Sequence, residues 1–452
     1  MSFVWNVSIC VTALVVVVIS KWWYRWSNPK CNGKLPPGSM GFPIIGETIQ
    51  FFKPYGFYEI SPFIKKRMLR YGPLFRTNIF GSNTVVTTDP DVIYEVCRQE
   101  NKSFVTGYPG KFTTLIGKDN PLTEQGNIHK HFKQITLQFF GSDGLKRTMI
   151  GDLNRATRED LRSKASQGKF NLKEAVENLI VTNITEKMIT NLRPETKKNL
   201  IDSLKGFNLE WFQSFFTLST WRSFYRLVAA RKAGLQVISD VYLTRKESGE
   251  NHGDFLSMIL EDTLFNAKSA MDYILTLPFV AKDTTSTVTC LAVKFIAENP
   301  KVLSKLKREH EAIIQNREDK EFGISWEEYK HKIPFTNMVI NERYTIPAGW
   351  IVAVAPSVIH YDPAIYENPL EFNPWRWEGK ELVNSSKTFM VFGSGLRSCA
   401  GAEFAKLQLA IFLHHLVANY DFSMAHDCEV TRKPLVCFPN GVHINISHSP
   451  TK

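Results

Sequence analysis

Phe392-Gly393-Ser394-Gly395-Leu396-Arg397-Ser398-Cys399-Ala400-Gly401 is the stretch on which the reading of this chain turns. Its small residues, Gly393, Gly395 and Gly401 above all, let a backbone lie close against something flat. Cys399 stands where an apolar helix begins, predicted from about Ala400 to Asn419, with Phe404, Leu407, Ile411 and Leu416 on the buried face. A helix N-terminus favours the thiolate, the form of cysteine that ligates metal. Arg397 places a fixed cation two residues away. Taken alone, one cysteine in a glycine-rich turn is usually structural.

Working outward, Ala281-Lys282-Asp283-Thr284-Thr285-Ser286 lies midway along a long helix predicted from about Ala270 to Glu298 and stopped by Asn299-Pro300. Pro278 removes a backbone donor just upstream and loosens that helix. On its own, Asp-Thr-Thr in a helix reads as a solvated face. His129-Lys130-His131-Phe132-Lys133 falls in another helical stretch and, by itself, reads as a surface His and Lys. Pro374-Trp375-Arg376-Trp377 precedes the cysteine stretch by a short loop.

The ten-residue cysteine stretch matches the haem-binding loop of the cytochromes P-450, Phe-x-x-Gly-x-Arg-x-Cys-x-Gly, at every fixed position, and the chain resembles that family from a proline-rich segment near residue 36 to its tail. The resemblance implies haem b as cofactor, with Cys399 as the axial ligand of the iron; such a thiolate pushes electron density toward O–O cleavage. It gives Arg397 the pairing with a haem propionate and Phe392 the place beside the thiolate, with Gly393, Gly395 and Gly401 letting the loop approach the ring. Asp283 and Thr284 inherit the acid and alcohol that help deliver protons to oxygen, in a stretch one residue shorter than the family's, with Lys282 where glycine and a variable residue are expected. His129 and Lys133 resemble a Trp/His-x-x-x-Arg pair over the propionates, lysine replacing arginine.

One departure stands out. Asn337-Met338-Val339-Ile340-Asn341-Glu342 leads into the family's Glu-x-x-Arg, whose two charges bond a later arginine, here Arg376. The chain then runs Arg343-Tyr344-Thr345-Ile346-Pro347, which resembles a strand and turn usually found about two dozen residues later. A helix end and a pocket strand are therefore expected to be missing. Glu342 and Arg376 are left without the middle arginine of their network unless Arg343 substitutes, and a buried charge network short of one member costs about 3–5 kcal/mol.

The rest of the sequence sets the context. The 452 residues are 43% hydrophobic and 12% aromatic, enough for a large core and an apolar pocket. A formal charge of +11 raises the question of nucleic acid, but Lys and Arg are mixed with acids, as in Lys305–Glu311, and no basic stripe with interleaved aromatics occurs. The seven cysteines are scattered without a CxxC pair, which fits a reducing compartment rather than a disulfide framework. Phe3 to Ser20 is an apolar run of roughly 17 to 20 residues, followed by Lys21-Trp22-Trp23-Tyr24-Arg25-Trp26, and reads as a retained signal anchor with its basic end in the cytosol. A cleaved signal peptide, the rival reading, lacks its basic leader and cleavage site here.

The expected architecture is mainly α with a minor β-sheet region, preceded by one N-terminal transmembrane helix: residues 1–26 as anchor, 27–50 as a Pro/Gly linker, and 51–452 as the haem-thiolate domain. Leu74–Phe80 and Asn83–Thr88 are predicted to pair as a hairpin, Asp89-Pro90 to open a helix, and the tail Leu435–Ser447 to fold on Pro439-Asn440-Gly441 as a second hairpin. No phosphate loop, dinucleotide fingerprint, zinc-protease or serine-hydrolase motif is present. The resemblance implies hydroxylation of a small apolar substrate with O2 and electrons from NADPH through a separate NADPH-cytochrome P-450 reductase, at the endoplasmic reticulum membrane with a single pass and a cytosolic body. Glu367–Trp377 is similar to the plant members that oxidise sterols and triterpenes. The alternative is a catalytically impaired, membrane-anchored product.

Overall fold

The computed structural model describes residues 2–28, 35–43, 45–108, 110–207, 219–315, 323–336, 351–379, 387–433 and 435–449. Cys31, Glu342 and Arg343 lie outside them. Helix α1, Ser2–Ser27, carries an 18-residue window apolar enough to cross a membrane, with the candidate span at Val7–Ser27 wholly unburied. The end of this helix is tied to the body: the Trp26 indole Nε1 donates to the Gly41 carbonyl at 3.1 Å, and an Arg76 guanidinium nitrogen to the Ser27 carbonyl at 3.4 Å.

The described part of the expected 27–50 linker belongs to the body. Met40 is buried, and the Glu47 carboxylate accepts from Arg67 Nε at 2.8 Å and from the Thr77 hydroxyl at 2.6 Å. A carboxylate so placed is compensated only inside a packed structure, so the Pro/Gly composition here marks turns against a sheet rather than a free spacer. Arg67 comes from α2 (Pro62–Tyr71).

Strands β1 (Leu74–Ile79) and β2 (Ser82–Thr87) pair antiparallel, Leu74 opposite Thr87 and Ile79 opposite Ser82. Their two-residue turn, Phe80-Gly81, has φ of 56° and 77°, the left-handed pair that suits the twist of a tight hairpin. Helix α3 (Pro90–Arg98) comes next, capped as expected: Asp89 accepts from the amides of Asp91 and Val92 at 2.9 and 3.1 Å.

The helical body then runs through α4 (Gly126–Phe140), α5 (Ile150–Gln167), the short strand β3 (Lys169–Asn171), α6 (Leu172–Met188), α7 (Pro194–Gly206), α8 (Ser219–Ser248), α9 (Ala267–Glu298) and α10 (Pro300–Gln315). Asn266 caps α9 by accepting from the Ser269 amide at 2.8 Å, and the helix continues through Pro278. Most of its residues are buried, because α9 packs along α6 through the middle of the main core. Asn299-Pro300 ends it, and the same proline opens α10, consistent with proline's tolerance for a first turn.

After the helices, β4 (Ile351–Val354) joins the first sheet parallel to β2, Thr84 opposite Ile351. Helix α11 (Ala402–Asn419) is buried on nearly every side, with Phe404, Leu407, Ile411 and Leu416 at 3% exposure or less, as the apolar pattern required. It leads into β5 (Tyr420–Met424). The tail departs from expectation: Gly441 closes a turn onto the Phe438 carbonyl at 3.0 Å, but the flanking runs do not pair with each other. Val436–Cys437 pairs with Thr431–Arg432, whereas β6 (His443–His448) lies between β5 and β3. The first run turns back on the residues just before it and the second pairs with strands farther off in the chain, choices that a turn signal between them cannot foresee.

Candidate active site

The cysteine stretch forms a compact loop at the start of α11. Gly395–Arg397 makes one 3-10 turn, the Ser398 amide donates to the Gly395 carbonyl at 3.2 Å, and the Cys399 amide donates to the Phe392 carbonyl at 2.8 Å. Gly395 has φ of 67°, and a Cβ there would lie 2.2 Å from the Cys97 carbonyl oxygen. Only glycine lets the loop press so closely on the end of α3. Phe392 sits beside the cluster of Trp377, Phe389 and Val391, with the Lys406 ammonium 5.1 Å from its ring centre.

Helix α4 supports this loop from the side. Lys133 Nζ donates to the carbonyls of Leu396 at 2.9 Å and Ser398 at 2.7 Å, and to the Ser398 hydroxyl at 2.9 Å. Those three bonds use its three N–H groups. The lysine therefore holds the cysteine loop, where the sequence had pointed to a propionate. Burial lowers its ammonium below the ordinary 10.5, against the opposing pull of Cys399 and Glu100.

Arg397 is similarly occupied. Its Nε donates to Glu100 at 2.6 Å, and its terminal nitrogens donate to the carbonyls of Leu122 at 2.9 Å and Glu124 at 2.5 Å. One of them also lies 3.0 Å from His129 Nδ1. A guanidinium only donates, so in this contact Nδ1 of His129 accepts, while the Pro121 carbonyl lies 3.4 Å from the same nitrogen. Burial, then the Arg397 charge, lowers this histidine to about 4, so it is neutral at physiological pH. Glu100, buried at 9% side-chain exposure, was not singled out in the sequence. It lies some three hundred residues from its partner in a stretch with no recognisable pattern.

Cys399 opens its side chain to solvent while protein crowds the rest of the residue. Burial is the largest influence on the thiol and raises it above 9.0, ahead of the lowering by the Gly401 amide and by Lys133. One face of the residue is open, and the others are dry. The expected stabilisation of a thiolate by the helix end is thus outweighed in this protein, because Cys399 precedes the Gly401 cap and sits among desolvating neighbours.

Across α9 the residues divide by face. Thr284 is exposed, its hydroxyl donating to the Val280 carbonyl at 2.9 Å, and Val280 is 37% exposed in an otherwise buried helix. Lys282 and Asp283 turn the other way, at 1% and 9% exposure, with Lys282 Nζ 3.0 Å from Asp283 Oδ1. Burial raises the Asp283 carboxyl above 3.8, opposed by Lys282. Asp283 and Thr284, expected to act side by side, are adjacent in sequence and open on different sides.

Arg376 also differs from expectation. It is half-buried and donates to the carbonyls of Glu367 at 2.8 Å, Asn368 at 3.0 Å, Glu371 at 2.5 Å and Asn373 at 3.2 Å. Its charge is answered by backbone carbonyls of its own loop, so Arg376 does not carry the uncompensated burial expected for a broken network. Its expected partner Glu342 lies outside the described residues.

An open cysteine at the end of a glycine-rich loop, with the Lys133 and Arg397 cations tied to that loop, suits an anionic, iron-bearing ring held through sulfur. Among the described residues no group of three His, Cys, Asp or Glu side chains is placed to hold a metal by itself.

Comparison with known proteins agrees. The family model described as Cytochrome P450 matches residues 36–343 and 341–440, in two pieces that meet where a segment was expected to be missing. Cytochrome P450 708A2 of Arabidopsis thaliana is 59% identical over 476 aligned positions, covering 99% of this chain and 100% of that protein. Since the chain has 452 residues, at least two dozen of those positions have no counterpart in it. Beta-amyrin 16-alpha-hydroxylase CYP87D16 of Maesa lanceolata is 31% identical, covering 98% and 99%, and cucurbitadienol 11-hydroxylase of Siraitia grosvenorii is 30% identical, covering 98% and 99%. A solved structure, retinoic acid bound cyanobacterial CYP120A1, superimposes with a TM-score of 0.76 at 20% identity, over 92% of this chain and 99% of that one, and shows the fold alone. Members of this fold and family use haem iron with electrons from a redox partner. The chain belongs to the cytochrome P450 family of monooxygenases, among plant members related to triterpenoid and sterol hydroxylases.

Proposed function

We propose that the chain hydroxylates a triterpenoid or closely related sterol-like substrate, held by one N-terminal helix at the endoplasmic reticulum membrane with its body in the cytosol. One atom of O2 enters the substrate and the other leaves as water, which takes up two protons from the medium and two electrons that NADPH supplies through a separate reductase. The observation that carries this reading is the built loop around Cys399: its cysteine is open on one face while Lys133, Phe392 and Gly395 fix the backbone behind it.

Bound haem supplies the oxygen activation. The chain's own residues do the rest. Cys399 would hold the iron through its sulfur as the thiolate, its proton leaving to water and the charge of the metal offsetting the cost of an anion among desolvating neighbours. Arg397, with neutral His129 behind it, offers donors to a propionate, which would share the guanidinium with Glu100 and the nearby carbonyls. Thr284 holds a hydroxyl on the open face of α9, where it can hand on a proton, and Asp283 on the inner face is the acid that resupplies it. Val280 forms apolar wall for the substrate. The triterpenoid assignment rests on the printed activities of the Maesa and Siraitia relatives.

The test is the reduced carbon-monoxide difference spectrum of the purified chain, followed by turnover with reductase and a panel of triterpene alcohols and sterols. A thiolate-type spectrum, absent in Cys399→Ala, is expected, and its persistence in Cys399→Ala would overturn the assignment. A second reading is favoured by the split in the family match at 341–343: a membrane-anchored product that takes up haem poorly. Haem per polypeptide below about one tenth would establish that reading instead.

A further inference from the structure

The inner face of α9 carries charges that the reading above leaves unused. Lys282 is among the largest fully buried side chains of the protein, although its ammonium is a cation in the middle of the core. Its partner is Asp283, at 3.0 Å. Facing them from α6 are Glu177 and Lys173, themselves paired at 2.8 Å and exposed at only 22% and 25% of their side chains. The Ser286 hydroxyl, one helical turn beyond Lys282, lies 3.5 Å from Glu177 Oε1. Both α6 charges act on the Asp283 carboxyl: Glu177 opposes its ionisation and Lys173 favours it.

Two cations and two anions thus alternate from a partly wetted pair on α6 to a dry pair on α9. A buried lysine is expensive unless paired, and an apolar residue would pack against α6 without that penalty. The charge at position 282 therefore asks for an explanation beyond packing. Its geometric effect is plain: Lys282 holds the Asp283 carboxylate on the α6 side of the helix, away from the face that Thr284 opens.

We propose that Lys282 is a positioning residue for proton delivery, which fixes Asp283 in the seam between α6 and α9 and makes Glu177 and Lys173 the connection of that carboxyl to solvent. The proposal rests on the reading of Asp283 and Thr284 given above. When the Asp283 carboxyl swings off Lys282 toward the Thr284 hydroxyl it gives up its proton, and on its return to the seam the proton is replaced from water by way of the Glu177 carboxyl. Lys282 exchanges no proton in this scheme. It sets where the carboxyl points and how readily it ionises.

The experiment uses full-length, haem-loaded protein with reductase in vesicles, comparing wild type with Lys282→Gln, Lys282→Arg, Glu177→Gln and Thr284→Ala. Product per NADPH is measured across pH, together with the solvent isotope effect. In Lys282→Gln the carboxyl loses its cation, so the acid limb of the profile moves to higher pH and product per NADPH falls several-fold. Lys282→Arg restores both. Glu177→Gln, at a partly exposed position that folds readily, raises the solvent isotope effect.

Melting gives a readout independent of turnover. Asp283 has a folded value raised above its ordinary 3.8, so its contribution to stability is full below that value and is lost as pH rises through the folded one. Lys282 favours ionisation of this carboxyl, so removing it extends the loss upward, and the melting temperature of Lys282→Gln relative to wild type declines as pH rises beyond the wild-type folded value. Wild-type coupling, pH profile and melting in Lys282→Gln, with Thr284→Ala still uncoupled, would reduce Lys282 to packing and overturn this proposal alone. Full coupling in Thr284→Ala would overturn the underlying reading and this one with it.

Discussion

Replacing Lys133 with methionine keeps most of the side-chain volume and removes every donor that holds the cysteine loop from α4. Three bonds of 2.7 to 2.9 Å are lost, two of them to backbone carbonyls. A charge-assisted bond is worth about 1.5–3 kcal/mol when buried, but this ammonium is half-buried and shared three ways, so about 1 kcal/mol each is the fair figure. The sum is about 3 kcal/mol. Unfolding entropy scales at roughly 2 cal/mol/K per residue, so in a body of this size each kcal/mol moves the melting temperature by about 1 °C. Lys133→Met is thus expected to melt only about 3 °C lower.

The local consequence is larger. If haem leaves when the loop opens, a loop weakened by about 3 kcal/mol releases it roughly a hundredfold faster. Haem transfer to an apomyoglobin acceptor, followed by absorbance, measures that rate directly. Lys133→Arg, which keeps the charge and the donors, should recover most of the difference. Haem loss at the wild-type rate in Lys133→Met would show that the loop is held by Gly395 and the Phe392 carbonyl alone, and the reasoning would fail.

Acid should destabilise the chain through its buried histidines. His129 and His360 are each lowered to about 4 from 6.5 by burial, so their contribution is present above 6.5 and is lost as pH falls toward about 4, by about 3 kcal/mol at most per residue. A melting temperature that stays flat between those values in His129→Gln and in wild type alike would contradict this. Deleting residues 2–25, which spares Trp26 and Ser27, should move the protein from the microsomal pellet to the supernatant with haem retained; continued pelleting would reveal a second attachment surface. Inserting after Glu342 a helix end and strand of the kind expected to be missing there should raise both haem per polypeptide and melting temperature. Equal values for the two forms would mean that the shorter chain is complete enough to work.

How much the sequence revealed depends on how local each signal is. The cysteine loop was legible because its ten residues are contiguous, and the burial of Phe404, Leu407, Ile411 and Leu416 because helical periodicity is local too. The partners of Arg397 were not: Glu100, Leu122 and Glu124 come from a distant part of the chain, and two of the three contribute only carbonyls, which any residue possesses. Lys133 was legible as a cation on this helix, but its bonds to Leu396 and Ser398 were not, since spacing places a side chain on a face without saying which acceptor it meets. The same holds for Asp283, where a one-residue step around a helix, about 100°, separates two faces. The tail was misread for the opposite reason. Its turn was genuine, but strand partners are chosen by long-range burial, and β6 found β5 and β3 instead of its neighbour.

The fastening of α1 to the body has a mechanical meaning. A flexible tether lets a tethered enzyme sample every height and tilt above a surface, diluting each orientation among the rest. Here the last residues of the apolar helix are clasped by the Gly41 carbonyl and by Arg76 of β1, and the chain after them is pinned through Glu47 to Arg67. Any tilt of the helix in a bilayer is then transmitted to the first sheet, as a handle turns a blade. Membrane thickness, which sets helix tilt, would become a setting for how this body faces the lipid from which an apolar substrate arrives.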